Sequence, residues 1–275
     1  MKLKFKIAES WNELNEYQRA RISDLLLKSE EGTKGVHFAI LFYLFCPTKK
    51  VLSWKRMKEL FKFYILISQV PVSELYSYSS FIYEELELFK FPKEVKIKGK
   101  TYYGPTDRLS DISIEELNFT YKFYFDWATS KDDKALDRLV TTLYRPKFKT
   151  HTGAFKREEF DQEIVVSRGA LLPKIDEDIK LSVGLAYKGS VNYMFSRFPL
   201  IFPKPKNPKK DTKVADKPRY SSLIPMINAM FMGDNQPFGP RESTMKTNAY
   251  AFFTTAQETI KQARERDLEL KRNRR

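Results

Sequence analysis

The residue types that most often carry chemistry are sparse in this chain. Two histidines and one cysteine cannot assemble an ordinary zinc cluster. No Walker-type phosphate loop, GxGxxG or GxSxG occurs. Cys46 closes an apolar run from Phe38 and reads as a small buried hydrophobe, not as a nucleophile. His37 opens a predicted helix, where it reads as structural or solvated. The acidic pairs Glu84–Glu85 and Glu158–Glu159 are adjacent in sequence, and adjacent residues on a helix do not share a face. The densest carboxylate group is Asp107, Asp111, Glu115 and Glu116. It stands at a predicted helix start, where negative charge favours the helix dipole; a carboxylate metal site is the competing reading. These residues predict no catalytic group, no cofactor and no metal, and therefore a protein that is not an enzyme.

Charge points elsewhere. The formal net charge is +14, and residues 199–275 carry sixteen Lys and Arg against eight Asp and Glu, which places +8 of it there. Such an imbalance favours nucleic acid, an anionic surface or an acidic protein patch. The basic residues concentrate in FPKPKNPKKDTKVADKPRY, 202–220, with four prolines, six lysines and one arginine. This composition predicts an extended linker that cannot build a core. Lys204, Lys206, Lys209, Lys210, Lys213, Lys217 and Arg219 are its candidate phosphate contacts. Beyond it, a predicted helix from about Ser243 carries one apolar stripe that includes Phe252, Phe253 and Ile260. Those three are the candidate partner-binding residues.

The elements that would position these groups follow from periodicity. The chain has 275 residues, 42% of them hydrophobic, with 22 Phe and 15 Tyr, so it can bury a real core. The 10 glycines are too few for a Gly-rich nucleotide fold. Leu3, Phe5 and Ile7 alternate with lysines, which predicts a half-buried edge strand. Ser10 and Glu13 form a predicted capping box for a helix over 11–28. A helix over 34–45 ends at Pro47, and Ser53 caps another that ends at Pro71. In that last helix Trp54, Met57, Leu60, Phe61, Tyr64 and Ile65 are expected to face inward. Val95, Ile97, Gly99 and 101–103 predict a β-hairpin.

Residues 109–146 predict a complete helical hairpin. Ser113 and Glu116 form the capping box of its first helix, and Pro146 ends its second by excluding Arg145 from the α region. Trp127 and Leu139 are core positions. Basic loop follows, then helices over 158–171 and 176–198. Gly184 and Gly189 in the latter permit close backbone approach or a break. The longest apolar run is too short to span a bilayer, and no secretion signal is visible at the start.

The fold class predicted is mainly α with a small β element (α+β). A helical main domain, 1–198, with a small N-terminal sheet or hairpin precedes the basic linker, 199–220, and a C-terminal helical arm, 221–275, with a basic end.

SWNEL, YYGPTDRLSDISIEEL, LDRLVTTLYRP, YKGSVNYMFSRFP and a late FG before a helix occur in that order. In this the chain resembles uncharacterised proteins of tailed phages and prophages of gut bacteria. The resemblance spans most of 10–260 and rests on caps, turns and aromatic positions. It implies a virion structural or tail-assembly protein, in the virion or in the host cytoplasm during assembly. Its partners would be other virion or assembly proteins or further copies of itself. It implies no catalytic residues. The alternative expectation is a nucleic-acid-associated protein that contacts the packaged genome through the basic linker and tail.

Overall fold

A computed structural model describes residues 4–28, 34–50, 52–97, 99–130, 132–149, 155–168, 175–203, 220–232 and 236–273. These are mostly helical, with two small two-stranded antiparallel sheets, in agreement with the expected class. The chain divides into two compact units. One holds Met1–Pro92 and Lys174–Gly189; the other holds Lys93–Pro173 and Ser190–Arg275. The expected linker falls mostly on 204–219, outside the described residues, and the two units group the rest of the chain differently from the expected domains. Residues after Tyr220 share a unit with the helical hairpin, while 174–189 belong with the N-terminal helices.

The N-terminal unit is built on α1 (Glu16–Lys28), α2 (Lys34–Phe45) and α3 (Trp54–Gln69), followed by the short helices α4 (Val72–Leu75) and α5 (Ser80–Tyr83). The start of α1 lies five residues later than Ser10 and Glu13 suggested. Asn15 and Gln18 form the reciprocal box instead: Asn15 Oδ1 accepts from the Gln18 amide at 2.9 Å and Gln18 Oε1 from the Asn15 amide at 3.0 Å. Gln18 Nε2 also donates to the carbonyls of Tyr43 and Leu44, which α2 leaves unpaired at its end.

Residues 4–8 of the expected N-terminal strand have no ladder partner among the described residues. Phe5 instead packs edge-on against Phe45, ring centroids 5.0 Å apart, so side-chain burial holds this segment. In α9 (Glu177–Ser196) the helix passes through Gly189 without a break. There a Cβ would lie 2.3 Å from the Leu88 carbonyl oxygen. Glycine is required by that approach.

The second unit opens with the predicted hairpin, β1 (Glu94–Ile97) on β2 (Lys100–Tyr103), with Val95 opposite Tyr102. Gly99 turns it at φ +77, the left-handed conformation that costs glycine least. The helical hairpin is α6 (Ile114–Ser130) and α7 (Asp133–Leu143). Ile114, Leu117, Trp127, Leu136, Leu139, Val140 and Leu143 are buried.

Before α6, Arg108 and Leu109 both hold positive φ, 60 and 58, a strained choice for side chains with a Cβ. Leu109 is fully buried, and the Arg108 carbonyl accepts from the Tyr250 hydroxyl at 2.8 Å. These contacts hold the turn. The expected loop after Pro146 contains a second hairpin, β3 (Lys147–Lys149) on β4 (Phe155–Arg157), followed by α8 (Gln162–Arg168).

The C-terminal part of this unit comprises α10 (Ile224–Met232), α11 (Arg241–Lys246) and α12 (Ala249–Asn273). It is stitched to the start of α6 by backbone. The Ile114 amide donates to the Thr247 carbonyl at 2.8 Å, and the Ala249 amide to the Ile112 carbonyl at 2.9 Å. Asn248 Nδ2 donates to the Ser110 carbonyl at 2.8 Å.

Candidate functional site

Two features of the described residues go beyond ordinary core and surface, one in each unit. The first is a buried ion cluster below a cleft of about 440 Å³ in the second unit. Ser113 caps α6, its Oγ accepting from the Glu116 amide at 3.1 Å. The Glu116 carboxylate does not complete a capping box. It turns inward, where Oε2 accepts from Arg145 Nη2 at 2.7 Å and Oε1 lies 3.5 Å from Arg157 Nη1.

Arg145 lies two residues past the end of α7, just before Pro146. Its own backbone pairs with Tyr103, the Tyr103 amide donating to the Arg145 carbonyl at 2.8 Å and the Arg145 amide to the Tyr103 carbonyl at 3.1 Å. Arg157, from β4, reaches Asp111 Oδ2 at 3.1 Å and donates to the Leu143 carbonyl at 2.6 Å. Glu116 and Arg145 are only 2% and 3% exposed. Burial pushes the Glu116 carboxyl above its ordinary range, while the two guanidiniums pull it back. Burial likewise lowers Arg145. The four charges balance, and Glu116 is occupied by two cations. The cluster ties the first turn of α6 to the end of α7 and to β4; it is a cross-brace.

The second feature is the outer face of α3. Ser53 caps the helix as predicted, accepting from the Arg56 amide. Its covered side is carried by Phe63, ringed by Phe38, Phe42 and Phe45. Arg56 is buried as well: it donates to the Cys46 carbonyl, and its guanidinium lies 4.8 Å from the Phe42 ring centroid. This orientation corrects the expected inward stripe. Trp54, Met57, Phe61 and Tyr64 are 76%, 55%, 62% and 67% exposed. They follow one another at steps of three, four and three residues, so they form one continuous seam. Exposed Lys58 borders one side of it, its Nζ 5.4 Å from the Trp54 ring centroid.

The sequence-predicted site residues fall elsewhere. Phe252 and Phe253 are fully buried within their own unit. Phe253 meets the rings of Phe195, Phe198 and Phe202, with centroids 6.2, 5.4 and 5.2 Å away, and Phe252 stacks on Phe238 at 5.7 Å. Ile260 is half-buried. The expected docking stripe is therefore core over 249–256, and only 261–273 of α12 stand wholly exposed. Lys204, Lys206, Lys209, Lys210, Lys213, Lys217 and Arg219 lie outside the described residues.

His37 stacks on Tyr83 with centroids 4.5 Å apart, and Cys46 is a buried free thiol whose pKa burial pushes up to about 11. Asp111 and Glu116, from the densest acidic group, are ion-paired as described. Among the described residues, no three His, Cys, Asp or Glu side chains converge as a metal site requires. No helix there is long and apolar enough to cross a membrane.

Sequence reasoning missed Arg145, Arg157 and the outward seam of α3. For Arg145 the sequence marks only its exclusion from the helix by the following proline; the place of its charge is set by the fold. For α3 the signal was the second, competing stripe through Arg56 and Phe63. No protein-family model, no curated protein and no solved structure matches this chain.

Proposed function

We propose that this chain is a non-enzymatic structural or assembly protein that works by docking on other proteins, in the setting of a tailed phage particle. The observation that carries the docking reading is the seam on α3. Four large apolar side chains stand in a row in solvent, and contiguous exposed apolar surface of this kind marks interaction sites. The phage setting rests on the ordered sequence features from SWNEL to the late FG. The self-neutralised Glu116–Arg145–Arg157–Asp111 cluster supports a bracing role for the cleft above it. Docking through α3 replaces docking through Phe252 and Phe253, whose rings serve the core.

Mass spectrometry of purified particles and of assembly intermediates tests the setting: peptides of this chain should appear in one or the other. Incorporation of Phe61→Asp tests the docking. The variant should keep its unfolding midpoint, because the side chain touches solvent, and should lose its place in the assembly, because a charge would be buried in an apolar contact. A folded Phe61→Asp chain that assembles normally would refute the reading. Salt-sensitive binding to random-sequence DNA that disappears when Lys204, Lys206, Lys209 and Lys210 become Gln would promote the nucleic-acid reading in its place.

A further inference from the structure

We infer that the seam on α3 receives an acidic amphipathic helix of a partner protein; this rests on the docking reading above and names the chemistry of its partner. The first support is spacing. Trp54, Met57, Phe61 and Tyr64 occupy alternating steps of three and four, the a and d positions of two heptads. That is the pattern whose side chains interlock with those of a facing helix. A nucleic acid strand has no use for a seam of period 3.5, and a bilayer surface favours a broader apolar face than one row of side chains.

The second support is charge. Lys58 stands at the e position beside the row, with Lys55 and half-buried Lys62 farther round the same side of the helix. Lys62 Nζ reaches the Lys4 carbonyl, and none of the three is paired with an acid among the described residues. The nearby Glu59 has both carboxylate oxygens engaged by Thr48, at 3.1 Å from its amide and 2.7 Å from its hydroxyl. One side of the seam therefore presents positive charge, Lys58 nearest, to whatever covers it. A helix with Glu or Asp beside its apolar stripe complements it. A second copy of this chain does not, because it would bring lysines against lysines. Four side chains also fall short of the roughly 800 Å² per partner that a stable dimer buries, so the seam suits one contact within a larger assembly.

Trp54 makes the test direct. Trp11 and Trp127 are buried and Trp54 is the exposed tryptophan of the three. The full chain is titrated with a synthetic helical peptide of about three heptads, Leu at a and d and Glu at e and g. A saturable blue shift of tryptophan emission is expected. The same peptide with Lys in place of Glu should bind about tenfold or more weakly. Phe61→Ser should remove the shift. The triple variant Lys55→Glu, Lys58→Glu, Lys62→Glu should reverse the preference between the peptides, which keeps the test sound if Phe61→Ser folds poorly.

Equal binding of both peptides would overturn the inference. So would a larger shift with phosphatidylglycerol vesicles, with a thymidine oligonucleotide, or on self-association of the chain alone. If the Phe61→Asp chain fails to assemble and yet the native chain ignores the acidic peptide, the partner chemistry falls and docking through α3 stands. If that variant assembles normally, both fall.

Discussion

Glu116 is the place where a single substitution should be felt most. In Glu116→Leu the carboxylate disappears from a site where it is 2% exposed. Arg157 keeps Asp111 and the Leu143 carbonyl. Arg145 keeps nothing equivalent: its Nη2 bond to Glu116 at 2.7 Å is lost, and its Nε and Nη1 are already buried without hydrogen-bond partners. An uncompensated guanidinium is left in a water-poor site, and breaking a buried pair in this way costs about 3–5 kcal/mol. Roughly 2–4 °C of Tm is lost per kcal/mol in folded units of this size, so the midpoint should fall by on the order of 6–20 °C.

The double variant Glu116→Leu, Arg145→Met removes both charges and fills the space with apolar atoms. It should recover most of the loss, because replacing a buried pair outright is often neutral. Thermal denaturation followed by far-ultraviolet circular dichroism, read as a double-mutant cycle, measures both. A Glu116→Leu midpoint within about 2 °C of the native chain, or a double variant worse than the single, would show that the cluster is not the brace described.

Other outcomes follow from burial. Phe253→Ala should cost about 3–5 kcal/mol, as full truncation of a core aromatic does, and Trp127→Ala or Leu139→Ala a comparable amount; unchanged chemical denaturation midpoints would mean that these rings are not core. Gly189→Ala places a methyl against the Leu88 carbonyl oxygen and should destabilise by roughly 1–3 kcal/mol, which the same denaturation curves report.

Cys46 should resist a thiol reagent at pH 8 while the chain is folded and react once it is unfolded. Its folded pKa, about 11, lies above the unfolded value of about 8.5. The stability it contributes is therefore complete below the unfolded value and declines as pH rises toward the folded one. Cys46→Ala should flatten that alkaline loss, and prompt labelling of native protein would contradict the buried assignment.

Local chemistry was readable wherever it acts over a few residues. Ser53 caps α3 because its hydroxyl sits three residues from the amide it accepts from. Gly99 turns the hairpin because φ +77 is open to it, and Pro146 ends the helical hairpin through its own ring. The mainly helical class with small antiparallel elements followed from the same kind of signal, as did the burial of Trp127 and Leu139. The fold-wide arrangement was legible only in part. The chain divides its units by returning, with 174–189 belonging beside the first 92 residues, and no composition shift marks such a return.

What tertiary structure alone decided is which apolar stripe finds a cover. α3 and α12 both carry a row of large side chains, and their sequences mark the rows equally well. Phe252 and Phe253 are enclosed because Phe195, Phe198, Phe202 and Phe238 come to meet them. Trp54, Met57, Phe61 and Tyr64 stay in solvent because Phe63 and Arg56 claim the covered side of α3. Amphipathicity is a property of one helix; burial is a property of its neighbours. Glu116 obeys the same division. Its place three residues after Ser113 is a cap signal by sequence, and only the arrival of Arg145 and Arg157 from distant positions makes it a buried anion.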